Sequence, residues 1–136
     1  MKKLLYKNNM YIYNIISFLV IGPIAEWATH LLLHKTNNFI HNNHHDNYNN
    51  NEVTVEIFPL VISYVAYIYG YNFVVYGYIR YWIVHTIIHF YPEYLPKLTK
   101  HHLTHHKYKN YNFAVSSIWP DYVFGTLYTK DNLKNN

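Results

Sequence analysis

The sequence predicts an all-α fold in which a bundle of helices is embedded in a membrane. Two long apolar blocks, residues 10–33 and 57–91, alternate with polar stretches. Charged residues make up 13% of the 136 positions, roughly half of the share that a soluble domain carries. All eleven histidines fall into four tight clusters with helical spacing. The length suits a single domain that spans residues 1–136.

The first apolar block predicts one long helix. Residues 10–33 contain only a few polar side chains, and about 20 apolar residues are enough to cross a bilayer. The pair Gly22-Pro23 is expected to kink this helix. No small-residue cleavage site follows the block, so a cleavable signal peptide is not expected.

The second apolar block predicts a helical hairpin. Residues 35–52, which precede it, are polar and rich in Asn, and residues 47–51 have the composition of a loop. Within residues 57–91, Arg80 is the only Lys, Arg, Asp or Glu, and Gly70-Tyr71-Asn72 indicates a turn between two helices. Two full membrane crossings need about 40 residues plus a turn, so a short re-entrant or interfacial hairpin is favoured. The alternative is one long tilted helix in a soluble helical core.

The carboxy-terminal part is predicted to be a short helix followed by a polar tail. Pro92 and Pro96 bracket a break, and a basic segment after them carries the last histidine cluster. The tail from Lys130 is polar and is expected to fray.

The composition excludes several kinds of function. The chain has no cysteine, which rules out disulfides, thiolate zinc sites and cysteine catalysis. Its net charge of +4 comes from lysines at the start of the chain and around the last histidine cluster. No nucleic-acid-binding motif accompanies them. These lysines fit an anionic membrane surface, or serve only to keep the protein soluble.

The order of the histidines points to metal. His30 and His34 are four residues apart, as are His85 and His89, so each pair lies on one face of a helix. The other two clusters, 41–45 and 102–106, share the pattern H-x-x-H-H. Their first and third histidines share a helix face, whereas the middle one points partly sideways and could reach a second metal ion.

The number of imidazoles suggests two metal ions. Some ten nitrogen ligands exceed the four of a closed zinc site, and imidazole suits Fe, Zn, Cu and Ni alike. Glu26, one turn before His30, is a candidate hydrogen-bond partner for a ligand imidazole. A single cluster could equally be a pair of core histidines or a loose metal-binding tract. Four clusters in alternating order favour a defined two-metal site.

The residues around the histidines resemble those of the fatty acid hydroxylase and sterol desaturase superfamily of membrane di-iron oxygenases. The resemblance rests on residues 77–81 before His85 and His89, on residues 98–106 with the last H-x-x-H-H, and on residues 112–117 and 121–126 downstream. It covers about residues 22–128 and leans toward the fatty acid 2-hydroxylase branch, while the spacing of the first cluster is equally at home in the sterol branch.

The resemblance implies an enzyme that binds two Fe ions and uses O2 to hydroxylate or desaturate a lipid, most simply a fatty acyl chain. Zn could replace Fe in a purified sample. It also implies a cytochrome b5-type electron donor and an endoplasmic reticulum-type membrane with the metal site facing the cytosol. No nucleic acid partner is expected, since no binding motif accompanies the lysines. His101 lies where the family varies and is the expected non-ligand, and no catalytic residue is expected beyond the metal ligands. The implied ligands are His30, His34, His41, His44, His45, His85, His89, His102, His105 and His106.

The chain departs from the family pattern at four positions and is short. Trp82, Phe90, Ala114 and Pro120 replace the residues usual there. Three alternatives therefore accompany the hydroxylase interpretation: a non-catalytic metal-binding membrane protein related to the family, a sterol desaturase or sterol oxidase, and a histidine-rich metal buffer without a fixed site. Aromatic residues of the apolar helices could line an acyl cleft or anchor helices at the membrane interface.

Overall fold

The computed structural model of the protein describes residues 11–47 and 57–133. All regular structure in these two ranges is helical, so the all-α prediction is confirmed for them. Most of the loop expected at residues 47–51 and the last three residues of the tail lie outside the described residues. The described part of the tail forms a 3-10 turn, Lys130–Leu133, rather than a frayed end.

Helix α1, Tyr11–Lys35, is one continuous helix. Its turn Ser17–Ile21 is a π-helix, in which the Gly22 backbone N–H donates to the Ser17 carbonyl. Pro23 has no N–H to donate to the carbonyl one turn earlier, and the wider π turn lies at this defect. The irregularity predicted at Gly22-Pro23 is therefore a π turn.

Helix α1 is also the one helix among the described residues that is long and apolar enough to cross a membrane. Only 22% of its most apolar 18-residue window is buried in the protein, whereas the core helix of a soluble protein would be mostly buried. Exposed isoleucine, leucine and valine side chains cover much of α1 and of the hairpin described below. Exposed apolar surface of this extent marks an interaction with lipid or with another protein.

Helix α2, Phe39–Asp46, follows α1 after a tight turn. Asn37 takes a left-handed conformation with φ 55°, which Asn tolerates better than most residues. The Asn38 side chain then caps α2 by accepting from the His41 backbone N–H at 3.0 Å. The short connection turns the second histidine cluster back toward the end of α1.

Helices α3, Ile57–Ile68, and α4, Asn72–Phe90, form the predicted hairpin. Gly70 lies in the turn with φ 78°, a conformation that favours glycine. The alternative of one long tilted helix is wrong, because the chain reverses at this glycine and α3 packs against α4. The described length of α3 corresponds to only about 18 Å, which is shorter than the hydrocarbon core of a bilayer.

Helix α5, Pro96–Lys107, carries the last cluster and follows a 3-10 turn at Pro92–Tyr94. Pro92 and Pro96 each stand at the start of a helical element, where a missing N–H costs nothing. An irregular segment then leads to the short helix α6, Trp119–Val123. The break predicted between the two prolines is confirmed.

Helix α4 is the central element of the bundle, since it packs against α1, α3 and α5. Two glycines allow the close crossing of α1 and α4: a Cβ built on Gly77 would lie 3.3 Å from the Gly22 Cα. Fully buried apolar side chains are few among the described residues, whereas most of the histidines are buried. The interior of this fold is therefore built largely from imidazole rings.

Candidate metal centre

The four histidine clusters meet at one place in the fold. The last turns of α1 and α4 supply the two HxxxH pairs, and α2 and α5 supply the two HxxHH motifs. Their ring nitrogens form two groups. Each histidine contributes one ring nitrogen, and the nitrogens of a group all lie within 4.8 Å of one another. The first group is His30, His34, His41, His45 and His105; the second group is His44, His89, His102 and His106.

In the first group, His41 is the most connected residue. Its Nε2 lies 3.0 Å from Nε2 of His30, 2.9 Å from that of His34 and 3.1 Å from that of His45. The Nε2 of His105 lies 3.0 Å from that of His34 and 3.1 Å from that of His45. Five Nε2 atoms from three helices thus converge on one point.

In the second group, His102 has the equivalent position. Its Nε2 lies 3.0 Å from Nε2 of His106 and 3.2 Å from that of His89. His85 stands beside this group of four, with its Nε2 3.1 Å from that of His102 and 3.2 Å from that of His89. All ten histidines that the resemblance implies as ligands therefore lie in or next to the two groups.

Hydrogen bonding cannot explain these short distances. A ring nitrogen of a neutral imidazole either donates one hydrogen bond or accepts one, yet His41 Nε2 has three other nitrogens within 3.1 Å. A cation at the common centre would remove the conflict, because each ring nitrogen could then bind the ion instead of a neighbouring ring. Neighbouring ligands of an octahedral ion at a metal–nitrogen distance of about 2.1 Å are about 3.0 Å apart, against about 3.4 Å for a tetrahedral ion. The observed 2.9–3.2 Å fit an octahedral ion better, so the residues fit two ions of high coordination number.

The middle histidine of each HxxHH motif belongs to the other group. His41 and His45 lie in the first group but His44 in the second, while His102 and His106 lie in the second group but His105 in the first. Helical geometry requires this split, because residues four apart share a face and the one between them points aside. Each motif therefore contributes to both groups, as the spacing predicts.

Backbone carbonyls fix the orientation of two imidazoles of the first group. The Nδ1 of His30 is hydrogen-bonded to the Phe113 carbonyl oxygen, and the Nδ1 of His105 to the Tyr111 carbonyl oxygen at 2.7 Å. A carbonyl oxygen only accepts, so Nδ1 carries the proton in both rings and Nε2 keeps its lone pair for a metal ion. The role of residues 111–113 in orienting these rings was not predicted from the sequence. The only signal for it there is the downstream signature at residues 112–117.

Glu26 does not contact a ligand imidazole, contrary to the sequence-based expectation. Its carboxylate accepts hydrogen bonds from the backbone N–H groups of Val115 and Ser116 at 2.5 and 2.7 Å. It also accepts from the Ser116 hydroxyl at 2.5 Å. The carboxylate therefore supports the segment after α5 rather than a histidine.

His101 lies outside both groups. Its Nε2 is 2.8 Å from a carboxylate oxygen of Asp121, and both side chains are buried. The same α5 helix thus turns His102, His105 and His106 toward the two groups and His101 toward α6. That His101 is not a ligand stays a prediction.

Burial keeps four histidines, one on α2 and three on α5, in the neutral form that binds metal. Desolvation lowers the pKa of His45, His102, His105 and His106 below the usual value, and neighbouring imidazoles lower the pKa further. For His105 the hydrogen bond to Tyr111 opposes this shift. Metal ions are therefore not in competition with protons at these nitrogens near neutral pH.

An apolar cavity between α1, α3 and α4 reaches the histidines. It has a volume of about 100 Å³. Its lining includes His30 of the first group, and Tyr81, whose ring stacks on His85 at 5.1 Å between centroids. At the other end it is lined by Gly22 and Gly77, about 12 Å along α1 from His30. Among the aromatic residues of the apolar helices, Tyr78 and Tyr81 line this cavity, whereas Trp27 stacks on Phe124 elsewhere.

Comparison with known proteins identifies the family of the chain. Neither the curated proteins nor the solved structures contain a significant match to the chain. The sequence model of the fatty acid hydroxylase family matches residues 15–126. That range includes all four histidine clusters, the carbonyls that orient two of the imidazoles, and the helices that enclose the apolar cavity. The chain therefore belongs to the fatty acid hydroxylase family.

Proposed function

We propose that this protein is a membrane-bound di-iron oxygenase that hydroxylates a C–H bond of a fatty acyl chain. The family is one of membrane oxidoreductases that act on lipids. The observation that carries the proposal is that the apolar cavity reaches both histidine groups. His30 of the first group lines the cavity, and so does Tyr81, whose ring stacks on His85 beside the second group. A chain of methylene groups fits such a cavity, because almost all of its lining is apolar.

In this proposal, two Fe ions are bound by ten histidines. The first group would hold one ion, and the second group together with His85 would hold the other. The distances between the Nε2 atoms support this ligand set, and the neutral state of the buried rings favours it. Zn could take the same positions in a purified sample, since imidazole suits both metals.

The chemistry that the two irons supply when bound is the O2-dependent oxidation of an unreactive C–H bond. The overall reaction consumes O2, two electrons and two protons, and yields the hydroxylated lipid and one water. The residues of the chain bind and orient the substrate: α1 and α4 form the walls of the cavity, and Tyr81 stands between it and His85. The apolar walls exclude water from the reacting carbon.

The electrons come from outside the chain in this proposal, from a cytochrome b5-type donor. The location that we propose is an endoplasmic reticulum-type membrane with the histidine groups on the cytosolic side. Exposed lysines on α5, namely Lys97, Lys100 and Lys107, lie on the helix that also carries three of the proposed ligands. Their charge suits the same side of the membrane.

Lipid analysis of cells that express the protein tests the proposal. The chain is expressed with iron and a cytochrome b5 system, and total lipids are analysed for 2-hydroxy acyl chains, new double bonds and altered sterols. We expect hydroxylated acyl chains with the wild type and with the surface variant Lys100→Ala, and none with His105→Ala. Altered sterols would instead identify a sterol-type enzyme.

A non-catalytic metal-binding relative is the second candidate, and the departures at Trp82 and Phe90 favour it. It predicts about two metal ions per chain but no new lipid product when the electron donor is supplied. A loose histidine-rich buffer predicts a third result: His105→Ala would lower the metal content only in proportion to the lost imidazole.

A further inference from the structure

Two carboxylates, that of the buried Asp121 and that of the half-buried Glu26, hold four consecutive backbone N–H groups of the segment after α5. Asp121 accepts from Phe113 N–H at 2.8 Å and from Ala114 N–H at 2.9 Å. Glu26 accepts from the next two N–H groups, those of Val115 and Ser116. We name this arrangement, Glu26 and Asp121 with residues 113–116, the carboxylate clamp.

One peptide plane connects the clamp to His30. The N–H of Ala114 and the carbonyl of Phe113 belong to the same peptide unit and point in opposite directions across its rigid plane. The N–H donates to Asp121, and the carbonyl accepts from His30 Nδ1. The position of the Asp121 carboxylate therefore determines where the carbonyl that orients His30 can lie.

A second peptide plane connects Asp121 to His105. The carbonyl of Tyr111, which accepts from His105 Nδ1, belongs to the same peptide unit as the Asn112 N–H. That N–H donates to the Thr126 carbonyl at 2.8 Å. Thr126 is in turn tied to Asp121 by its hydroxyl at 2.6 Å and by its own N–H. Both imidazoles oriented in this way belong to the first group.

No such connection reaches the Nδ1 of His102, the central residue of the second group. That atom is buried and has no hydrogen-bond partner among the described residues, which is also true of His45 Nδ1 in the first group. The two groups therefore differ in how their imidazoles are held, even though each draws on one HxxxH pair and both HxxHH motifs.

We propose that Asp121 is a positioning residue for the metal ion of the first group, and that the two metal positions consequently differ in affinity. The proposal rests on the ligand sets given under the proposed function. Asp121 touches no metal; it acts through two carbonyls on His30 and His105. Partners of this kind typically contribute a factor of about 10–100 to metal affinity, so the first position is the tighter one and depends on Asp121.

The Asp121→Asn substitution tests this with almost no change in shape. One end of the Asn side chain is an NH2 group, which cannot accept a hydrogen bond, so the side chain loses the bond from either Phe113 N–H or Ala114 N–H. The measurement is the number of Co²⁺ ions retained per chain by the purified full-length protein in detergent, over a series of chelator concentrations. The visible absorption spectrum of Co²⁺ reports separately on the geometry of the remaining sites.

Two histidine variants locate the effect. In His89→Ala the second group is damaged, so the retained Co²⁺ reports on the first position; in His34→Ala the reverse holds. We expect Asp121→Asn to weaken Co²⁺ retention about 10–100-fold in the His89→Ala protein, and to leave it within about two-fold in the His34→Ala protein. Glu93→Gln, which changes an exposed carboxylate, should have no effect in either.

A merely structural role for Asp121 would weaken both positions together, and that outcome would overturn the proposal. No effect at either position would overturn it as well. If Asp121→Asn does not fold, Thr126→Val serves as a second variant, because it removes one hydrogen bond to Asp121. It should weaken Co²⁺ retention at the first position less strongly and leave the second position unchanged. An equal effect on both positions contradicts the proposal. None of these measurements depends on turnover, so the absence of a lipid product would count against the proposed function alone.

Discussion

The Nε2 atoms of His34 and His105 lie 3.0 Å apart although 71 residues separate them in the chain. One lies at the end of the long helix α1 and the other on α5. Their approach means that a metal ion in the first group would connect the two ends of the fold. Metal binding should therefore stabilise the tertiary structure as a whole.

We expect metal to raise the thermal unfolding temperature of the protein. A ligand that binds only the folded state at a concentration of 1,000 times its Kd adds about 4 kcal/mol to the free energy of unfolding. The measurement is thermal unfolding in detergent of the metal-free protein and of the protein with Fe²⁺ or Zn²⁺. His105→Ala should lose most of the increase, whereas Lys100→Ala should keep it; an equal increase in both variants would contradict a defined site.

We expect the metal-free protein to lose stability as the pH falls below about 6.5, the usual pKa of histidine. Burial lowers the pKa of His45, His102, His105 and His106 in the folded state. The unfolded chain therefore takes up protons that the folded chain cannot, and the free energy of unfolding decreases with decreasing pH. Each such histidine contributes a slope of up to about 1.4 kcal/mol per pH unit.

Unfolding by denaturant of the metal-free protein between pH 7.5 and pH 5 checks this expectation. The loss of stability should begin near pH 6.5 and become steeper on further acidification. If the free energy of unfolding stays constant or increases as the pH is lowered from 7.5 to 5, the imidazoles are not held neutral by burial.

We expect Val74→Phe to shift the products toward shorter acyl chains. Val74 lines the cavity between α1, α3 and α4, near the end remote from His30, and a larger side chain shortens the space available to a substrate. The measurement is the chain-length distribution of hydroxylated lipids, with metal content measured in parallel. Ile79→Phe also introduces a phenyl ring, but on the exposed side of the same helix, and should change nothing. The same distribution in both variants would place the substrate elsewhere.

We expect Gly77→Ala to destabilise the bundle. At an ordinary helix position, Ala is favoured over Gly by about 1 kcal/mol. Here the added Cβ would lie 3.3 Å from the Gly22 Cα, a backbone atom of α1 that cannot move alone. Thermal unfolding in detergent should therefore show a lower transition temperature than the wild type. As a control, Ala28→Gly at an exposed position of α1 should lower the stability only by the difference in helix propensity. A Gly77→Ala protein that is more stable than the wild type would mean that the helices do not cross this closely.

Several elements of the fold could be predicted from the sequence because their signals are local, whereas the short helix α6 was not predicted. Gly70 ends the hairpin turn where a left-handed residue is needed, and Pro96 begins α5 where a missing N–H is harmless. The divergence of His44 from His41 and His45 also follows from helical spacing alone. Each of these inferences needs only a few neighbouring residues.

The contacts that support the metal centre could not be predicted in the same way. Glu26 is one turn from His30, which suggested a contact with an imidazole, but its partners Val115 and Ser116 are 89 and 90 residues away. The carbonyls of Tyr111 and Phe113 have no side-chain signature, because any residue supplies a carbonyl. Such contacts are determined by how the helices pack, and the pattern of a single sequence does not encode that packing locally.

The middle histidine of each HxxHH motif belongs to the other group, and this arrangement has a consequence for biosynthesis. When α1 and α2 have left the ribosome, the nascent chain offers four of the five imidazoles of the first group, since His105 is made more than fifty residues later. The second group likewise needs His44 from the part made first. Neither coordination sphere can be completed until α5 has been synthesised and folded back, so a truncated chain cannot carry one finished metal position.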